Sequence, residues 1–213
     1  YLPGDIPDPV ATQYGFKPRG TYDGGGDGNG VLSGYCNYCL GAISTREGSE
    51  NAAFWADLSG ASLIDGSFTA ADPTNTGFPA GVTTPNQIKL YFPQAKIGGG
   101  NNLYVYSGYV TSGKSLNYFG LSVITSVSTA QQMYSSKGLS VREAYAIDSK
   151  MDDGLPESGR VTDQYVNYGN SSGDGNVAAF ASSPTDAMWV STAAKAGSAS
   201  TCFDNNSTTG PQQ

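Results

Sequence analysis

Residues 140–156 constrain the fold most, because they carry the start, the periodic face and the end of one helix. Ser140, with Glu143 three positions later, matches a capping box, in which each side chain bonds the other residue's backbone N–H. Gly154 and Pro156 are typical of a helix end. Between these signals, apolar residues recur at helical spacing and predict a core-facing stripe: Val141, Ala144, Ile147 and Met151.

The C-terminal end of this predicted helix is crowded with the carboxylates of Asp148, Asp152 and Asp153. Negative charge is unfavourable there, because the helix dipole has its negative pole at the C-terminus. One interpretation is a solvated turn whose charges are balanced by Lys150 or Arg142. The other is a cation site, in which carboxylates and free helix carbonyls supply the oxygen ligands that Ca²⁺ prefers.

A second helix is predicted over 49–63, with Ser49 as its N-cap and Gly66 beyond its end. Its apolar residues follow an i, i+4 rhythm that predicts a core face: Ala53, Phe54, Leu58 and Ala61, with Trp55 beside them. Ahead of it, 1–48 is expected to be an irregular region. Prolines there forbid a continuing helix, namely Pro3, Pro7, Pro9 and Pro18.

Strands are predicted over 88–92, 103–110 and 118–124, which are rich in β-branched and aromatic residues. The connector 111–116 contains Gly113 and suits a hairpin. A helical stretch is expected near 129–136, and further strands at 160–168, 177–180 and 188–190. The pattern predicts one α+β domain over 1–213, with an antiparallel sheet, two or three short helices, long Gly-rich loops and a polar tail at 201–213.

The composition excludes several classes of function. Without histidine, a Ser-His-Asp or Cys-His nucleophile has no base, and imidazole zinc sites cannot form. A net charge of −7 disfavours nucleic acid and anionic membranes as partners. No apolar run approaches the ~20 residues of a membrane span.

A hydrolase that uses a pair of carboxylates is compatible with this composition. Its acid would need an apolar setting that raises its pKa, and we expect none for the glutamates, which are Glu47, Glu50, Glu143 and Glu157. We therefore predict that the chain is not an enzyme.

A Gly-rich segment carries Asp23, Asp27 and Asn29, and a similar stretch recurs at 173–176. Asp, Asn and Gly are standard turn formers, which gives one interpretation. They are also the residues of many calcium loops, so these three residues are candidate Ca²⁺ ligands. The order and the distal glutamate of an EF-hand are missing.

Four motifs occur in the order in which they occur in the bacterial type IV pilin and pseudopilin family. They are YLPGD at 1–5, GGDGNG at 25–30, SENAAFWADLSGASLIDGSFT at 49–69 and AIDSKMDDGLPESGRV at 146–161. The chain resembles the globular head of that prepilin-like family, without its hydrophobic N-terminal helix. The resemblance implies a pilin-like head that serves as a non-catalytic subunit of an extracellular, cell-surface or periplasmic filament.

The same resemblance implies two kinds of partner. One is other copies of the chain in a helical filament. The other is a hydrophobic N-terminal pilin helix, either removed from this chain or supplied as a separate polypeptide.

The three cysteines, Cys36, Cys39 and Cys202, allow three pairings. A disulfide in an oxidising compartment suits them better than zinc or thioredoxin-like redox chemistry. A bond from Cys39, or alternatively Cys36, to Cys202 would close a long loop and stabilise more than Cys36–Cys39 would. Many pilins have such a C-terminal disulfide.

Two sequons, at Asn170 and Asn206, are candidate glycosylation sites.

An alternative function is a secreted, calcium-stiffened binding module of the lectin or adhesin kind. Tyr, Asn, Asp and Gly on loops are residues that such modules use.

Overall fold

The computed structural model describes residues 1–19, 25–33, 49–69, 82, 84–110, 114–127, 133–136, 138–139, 141–154 and 160–161. The described residues belong to two compact units, one within Tyr1–Ser136 and the other within Lys137–Val166. The elements in chain order are α1 (Val10–Gln13), α2 (Glu50–Gly60), α3 (Pro85–Ile88), β1 (Asn102–Val110), β2 (Lys114–Val127), β3 (Met133–Ser136) and α4 (Val141–Met151). The fold is α+β, as predicted.

The sheet is antiparallel with strand order β1-β2-β3. β1 and β2 form the expected hairpin, with Tyr106 opposite Tyr118 and Tyr104 opposite Gly120. The rings of Tyr106 and Tyr118 stack at 5.4 Å. A Cβ atom on Gly120 would lie 2.0 Å from the Tyr104 ring, so that ring covers the glycine. Cross-strand aromatic packing of this kind stabilises the pairing.

α2 is buried along its first half, and its aromatic residues contact the sheet. The Phe54 ring lies 4.9 Å from that of Trp55 and 6.0 Å from that of Phe119 on β2. The helix ends earlier than its sequence predicts, because Ser62 adopts a left-handed φ of 57°. The N–H of Leu63 then donates to the carbonyl of Leu58 in a Schellman-type end.

Two predicted elements are wrong. The strand predicted over 88–92 does not form, because Ile88 is the last residue of the helix α3 and 89–92 form turns and a bend. The Thr84 hydroxyl and the Gln87 side chain make a reciprocal capping box, and Pro85 occupies the first turn. Residues 133–136 form β3 instead of helix, because the long β2 strand offers an edge with which they pair.

The predicted helix at 141–151 is present as α4, whereas its Ser140 cap lies outside the described residues. Ala144 and Ile147 are half-buried, but Met151 is 69% exposed. Met151 is therefore not part of a core face. In the described part of the chain, no helix combines the length and apolar character needed to cross a bilayer.

Candidate functional site

An ion pair between α2 and the N-terminal region is buried in the first unit. Arg19 Nη2 donates to both carboxylate oxygens of Asp57, at 2.7 and 2.6 Å, and the two side chains are 2% and 6% exposed. The backbone N–H of Gly4 also donates to Asp57, at 2.6 Å. Arg19 Nε donates to the carbonyl of Ile6. Asp57 thus fixes two separate points of the N-terminal segment on one helix.

Glu50, at the first position of α2, is 0% exposed and accepts four hydrogen bonds. Its Oε1 accepts the N–H groups of Gly26 and Asp27, at 2.9 and 3.2 Å. Its Oε2 accepts the N–H and the hydroxyl of Ser33, at 2.8 and 2.7 Å. One side chain therefore holds both ends of the segment 25–33, called the Gly-rich loop below, against α2.

Asp5 holds the middle of the same loop. Its Oδ1 accepts the N–H of Gly28 and its Oδ2 that of Gly30, both at 2.8 Å. Gly26, Gly28 and Gly30 all have positive φ, which lets their N–H groups turn toward the two carboxylates. The loop is a concave array of backbone donors around Asp5 and Glu50.

The candidate ligands Asp27 and Asn29 form turns within this loop. Asp27 accepts the backbone and side-chain N–H groups of Asn29, at 2.9 and 2.8 Å, and Asn29 accepts the N–H of Val31 at 2.7 Å. Carboxylate oxygens of Asp27, Asp5 and Glu50 lie within 4.8 Å of one another. Every oxygen of Asp5 and Glu50 already accepts a donor, so the turn interpretation fits this loop better than a cation site.

Burial dominates the electrostatics of these carboxyls. It raises the pKa of Glu50 to about 7, although the hydrogen bonds from Ser33 oppose the shift. Burial also raises the pKa of Asp5, against the bonds from Gly30 and Gly28. The expectation that no glutamate has a raised pKa is therefore wrong for Glu50. The cause is desolvation on burial, which outweighs the opposing hydrogen bonds.

The second acidic cluster lies at the end of α4, in the other unit. Carboxylate oxygens of Asp148, Asp152 and Asp153 lie within 4.8 Å of one another. The N–H of Asp152 donates to the carbonyl of Asp148 at 2.7 Å, which closes the last helical turn. Burial raises the pKa of Asp148, and the adjacent charges of Asp153 and Asp152 raise it further. The structure thus brings together the three residues that the sequence singles out.

Asp152 also organises the chain that follows the helix. Its Oδ2 accepts the backbone N–H groups of Arg160 and, at 3.2 Å, of Val161. The remaining candidate site residues lie outside the described residues: Asp23, Cys36, Cys39, Cys202, Asn170 and Asn206.

Sequence reasoning missed Asp5, Arg19, Glu50 and Asp57 as parts of one network. One signal was present for the two helical members. Glu50 and Asp57 are spaced at i and i+7, on either side of Phe54, and so lie on the face that was predicted to pack on the core.

Comparisons of the chain with family models, with curated proteins and with solved structures returned no match.

Gly4 and Gly30 provide a matched test of the close contact between the N-terminal segment and α2. Both have a φ of +83°, but a Cβ on Gly4 would lie 2.1 Å from the Glu50 carbonyl oxygen, whereas one on Gly30 meets nothing within 4 Å. We expect Gly4→Ala to lower the free energy of unfolding by at least about 2 kcal/mol more than Gly30→Ala, measured by urea denaturation. Equal losses would contradict the close packing.

Proposed function

We propose that this chain is a non-catalytic structural subunit, the pilin-like head of a filament of the type IV pilus or type II secretion pseudopilus kind. One observation carries the proposal. Three of the four motifs on which the family resemblance rests form one hydrogen-bonded network: the first through Gly4 and Asp5, the second through its glycine N–H groups, and the third through Glu50 and Asp57. In this interpretation the motifs have an architectural function.

The network would give a filament subunit a rigid attachment for its stalk. The Gly4 N–H binds Asp57 on α2, and the side chain of the next residue, Asp5, binds the Gly-rich loop. An apolar helix joined ahead of Tyr1, or a separate one docked beside it, would therefore be held in a set direction. The side chains at this end are apolar and open to solvent, with Tyr1 75% and Leu2 36% exposed.

Glu50 and Asp5 do not form an accessible pair of carboxylates suited to hydrolysis. Glu50 and Asp5 are both 0% exposed, and each oxygen of either residue accepts at least one donor. A general acid must reach its substrate directly or through one water molecule. The burial of these two carboxylates supports the non-catalytic interpretation.

Imaging of the native product tests the proposal. Filaments sheared from the source cells should contain this chain by mass spectrometry. Helical reconstruction should show the α2–β1–β2 head on the outside and an apolar helix at the centre. Finding the native product only as a free monomer, complete without such a helix, would refute the proposal.

The alternative, a secreted calcium-stiffened binding module, is favoured by the acidic cluster at the end of α4. Specific retention of the chain on a glycan column, together with the absence of any filament in the source sample, would support this alternative.

A further inference from the structure

The geometry points to a divalent-cation site of the calcium type at the C-terminal end of α4, with Asp148, Asp152 and Asp153 as its carboxylate ligands. This inference does not depend on the filament proposal. It rests on the proximity of the three carboxylates and on one buried oxygen of Asp148 that has no hydrogen-bond partner among the described residues.

Proximity is the first observation. A carboxylate oxygen from each residue lies within 4.8 Å of the other two. The three groups share the end of the helix at which backbone carbonyls carry partial negative charge and lack intrahelical donors. Three ionised carboxylates in this position repel one another and the helix dipole, and a bound cation would offset that repulsion by attracting each carboxylate and the helix carbonyls.

The second observation is independent of charge. The Asp148 side chain is buried, with 3% of the residue exposed, and among the described residues its Oδ1 has no hydrogen-bond partner. The N–H of Gly154 donates to the same carboxylate, so the group is hydrogen-bonded in part but Oδ1 is not. A buried oxygen without a partner is costly. A metal ion among the three carboxylates would supply that partner.

The ligand set favours Ca²⁺ over other cations. All three side chains offer oxygen, whereas Zn²⁺ is usually bound by sulfur and nitrogen. Ca²⁺ accepts six to eight oxygens in irregular geometry, so helix carbonyls and water can complete its shell. Mg²⁺ requires a nearly ideal octahedron and gives up water reluctantly. Because Asp152 also binds the N–H groups of Arg160 and Val161, an ion here would stiffen that segment.

A different explanation requires no metal. Asp148 could carry a proton, since its burial and the neighbouring charges both favour the neutral acid. The two explanations differ in a measurable way. A protonated carboxyl makes stability depend on pH but not on calcium, whereas a metal site makes stability depend on calcium at fixed pH.

Tyr145 provides a local probe for the test. Its ring lies against Gly154, where a Cβ atom would come within 3.3 Å of Cε2, and it stands three residues before Asp148 on the helix. Terbium, a luminescent substitute for calcium, is sensitised by a nearby tyrosine. Terbium bound at the proposed site should therefore luminesce when Tyr145 is excited and transfers its energy to the ion.

The experiment uses the whole chain, stripped of metal by a chelator, at pH 7.5. Calcium titration by calorimetry should show saturable binding, and terbium should luminesce on tyrosine excitation and be displaced by calcium. Tyr145→Phe should lose most of the luminescence while it keeps the calcium affinity. Asp148→Asn and Asp153→Asn should each weaken calcium binding by about tenfold or more, because each removes a charged ligand.

Two variants serve as controls for charge and position. Asp65→Asn removes an exposed charge elsewhere, and Asp27→Asn removes the exposed member of the other acidic cluster. Both should bind calcium as the parent chain does. Without calcium, Asp148→Asn should unfold at the same temperature as the parent or higher, since it removes a repelled charge. Calcium should no longer shift that temperature.

Three results would overturn the inference. The first is the absence of calcium binding and of any calcium-dependent thermal shift in the parent chain. The second is binding that Asp27→Asn abolishes and Asp148→Asn leaves intact, which would place the ion at the Gly-rich loop. The third is an equal fall in unfolding temperature for Asp148→Asn with and without calcium, which indicates a purely structural carboxyl. If Asp148→Asn fails to fold, the exposed Asp153→Asn variant decides the same question.

Discussion

Replacing Asp57 with alanine should lower the free energy of unfolding by about 3–5 kcal/mol, because it leaves the guanidinium of Arg19 buried without its counter-ion. The Gly4 N–H also loses its only acceptor in the network described above, which increases the loss. Urea denaturation of the parent and the variant at pH 7.5 measures the difference.

A double-mutant cycle separates the ion pair from simple truncation. Arg19→Met fills similar volume without charge, and Arg19→Met combined with Asp57→Ala removes both charges together. We expect the double variant to be more stable than Asp57→Ala, because no unpaired charge stays buried. Asp65→Ala, on the exposed segment after α2, should change stability by less than about 0.5 kcal/mol. A loss below about 1 kcal/mol for Asp57→Ala would contradict the buried pair.

Glu50→Leu should lower the free energy of unfolding by a similar amount, about 4 kcal/mol or more. The substitution keeps a side chain of similar size on the helix but leaves the N–H groups of Gly26 and Asp27 and the Ser33 hydroxyl without this acceptor. The Ser33 N–H keeps only its bond to the carbonyl of Val31. Chemical denaturation provides the free energy. Hydrogen exchange should show that the loss of protection is concentrated in 25–33.

The dependence of stability on pH shows whether the burial of Glu50 has the stated electrostatic consequence. The folded pKa is about 7, above the ordinary value of 4.5, so the folded state binds the proton more tightly than the unfolded chain. The contribution of Glu50 is therefore greatest below pH 4.5 and is lost as the pH rises toward 7. Relative to Glu50→Gln, which cannot titrate, the parent chain should gain roughly 1–3 kcal/mol between pH 7.5 and 5. A difference that is constant with pH would contradict the shift.

Local sequence signals predicted the elements whose partners are near in the chain. β1 and β2 follow from alternating β-branched and aromatic residues around a short turn, and α2 and α4 follow from apolar spacing between start and end signals. The α3 helix also had a local signal, the capping box that begins at Thr84. The prediction did not use this signal and placed a strand over 88–92 instead.

Other features of the fold and of the site depend on contacts between residues that are distant in the chain. β3 forms where β2 offers an edge, and nothing within 129–136 specifies that partner. Glu50 is stabilised in the interior by N–H groups that lie 17–24 residues earlier in the chain, and no spacing rule connects a helix carboxylate with a distant loop. By contrast, the acidic cluster at the end of α4 lies within six residues, so helical geometry was sufficient to bring it together.

Gly26, Gly28 and Gly30 alternate with residues that do not need glycine, and this alternation sets which backbone groups point inward. Deleting or inserting one residue in that stretch would present carbonyl oxygens to Asp5 and Glu50 in place of donors. In related chains we therefore expect the number of residues in the stretch to stay constant, with turn-forming Asp or Asn at 27 and 29. Any change in that number should occur only together with loss of both buried acids.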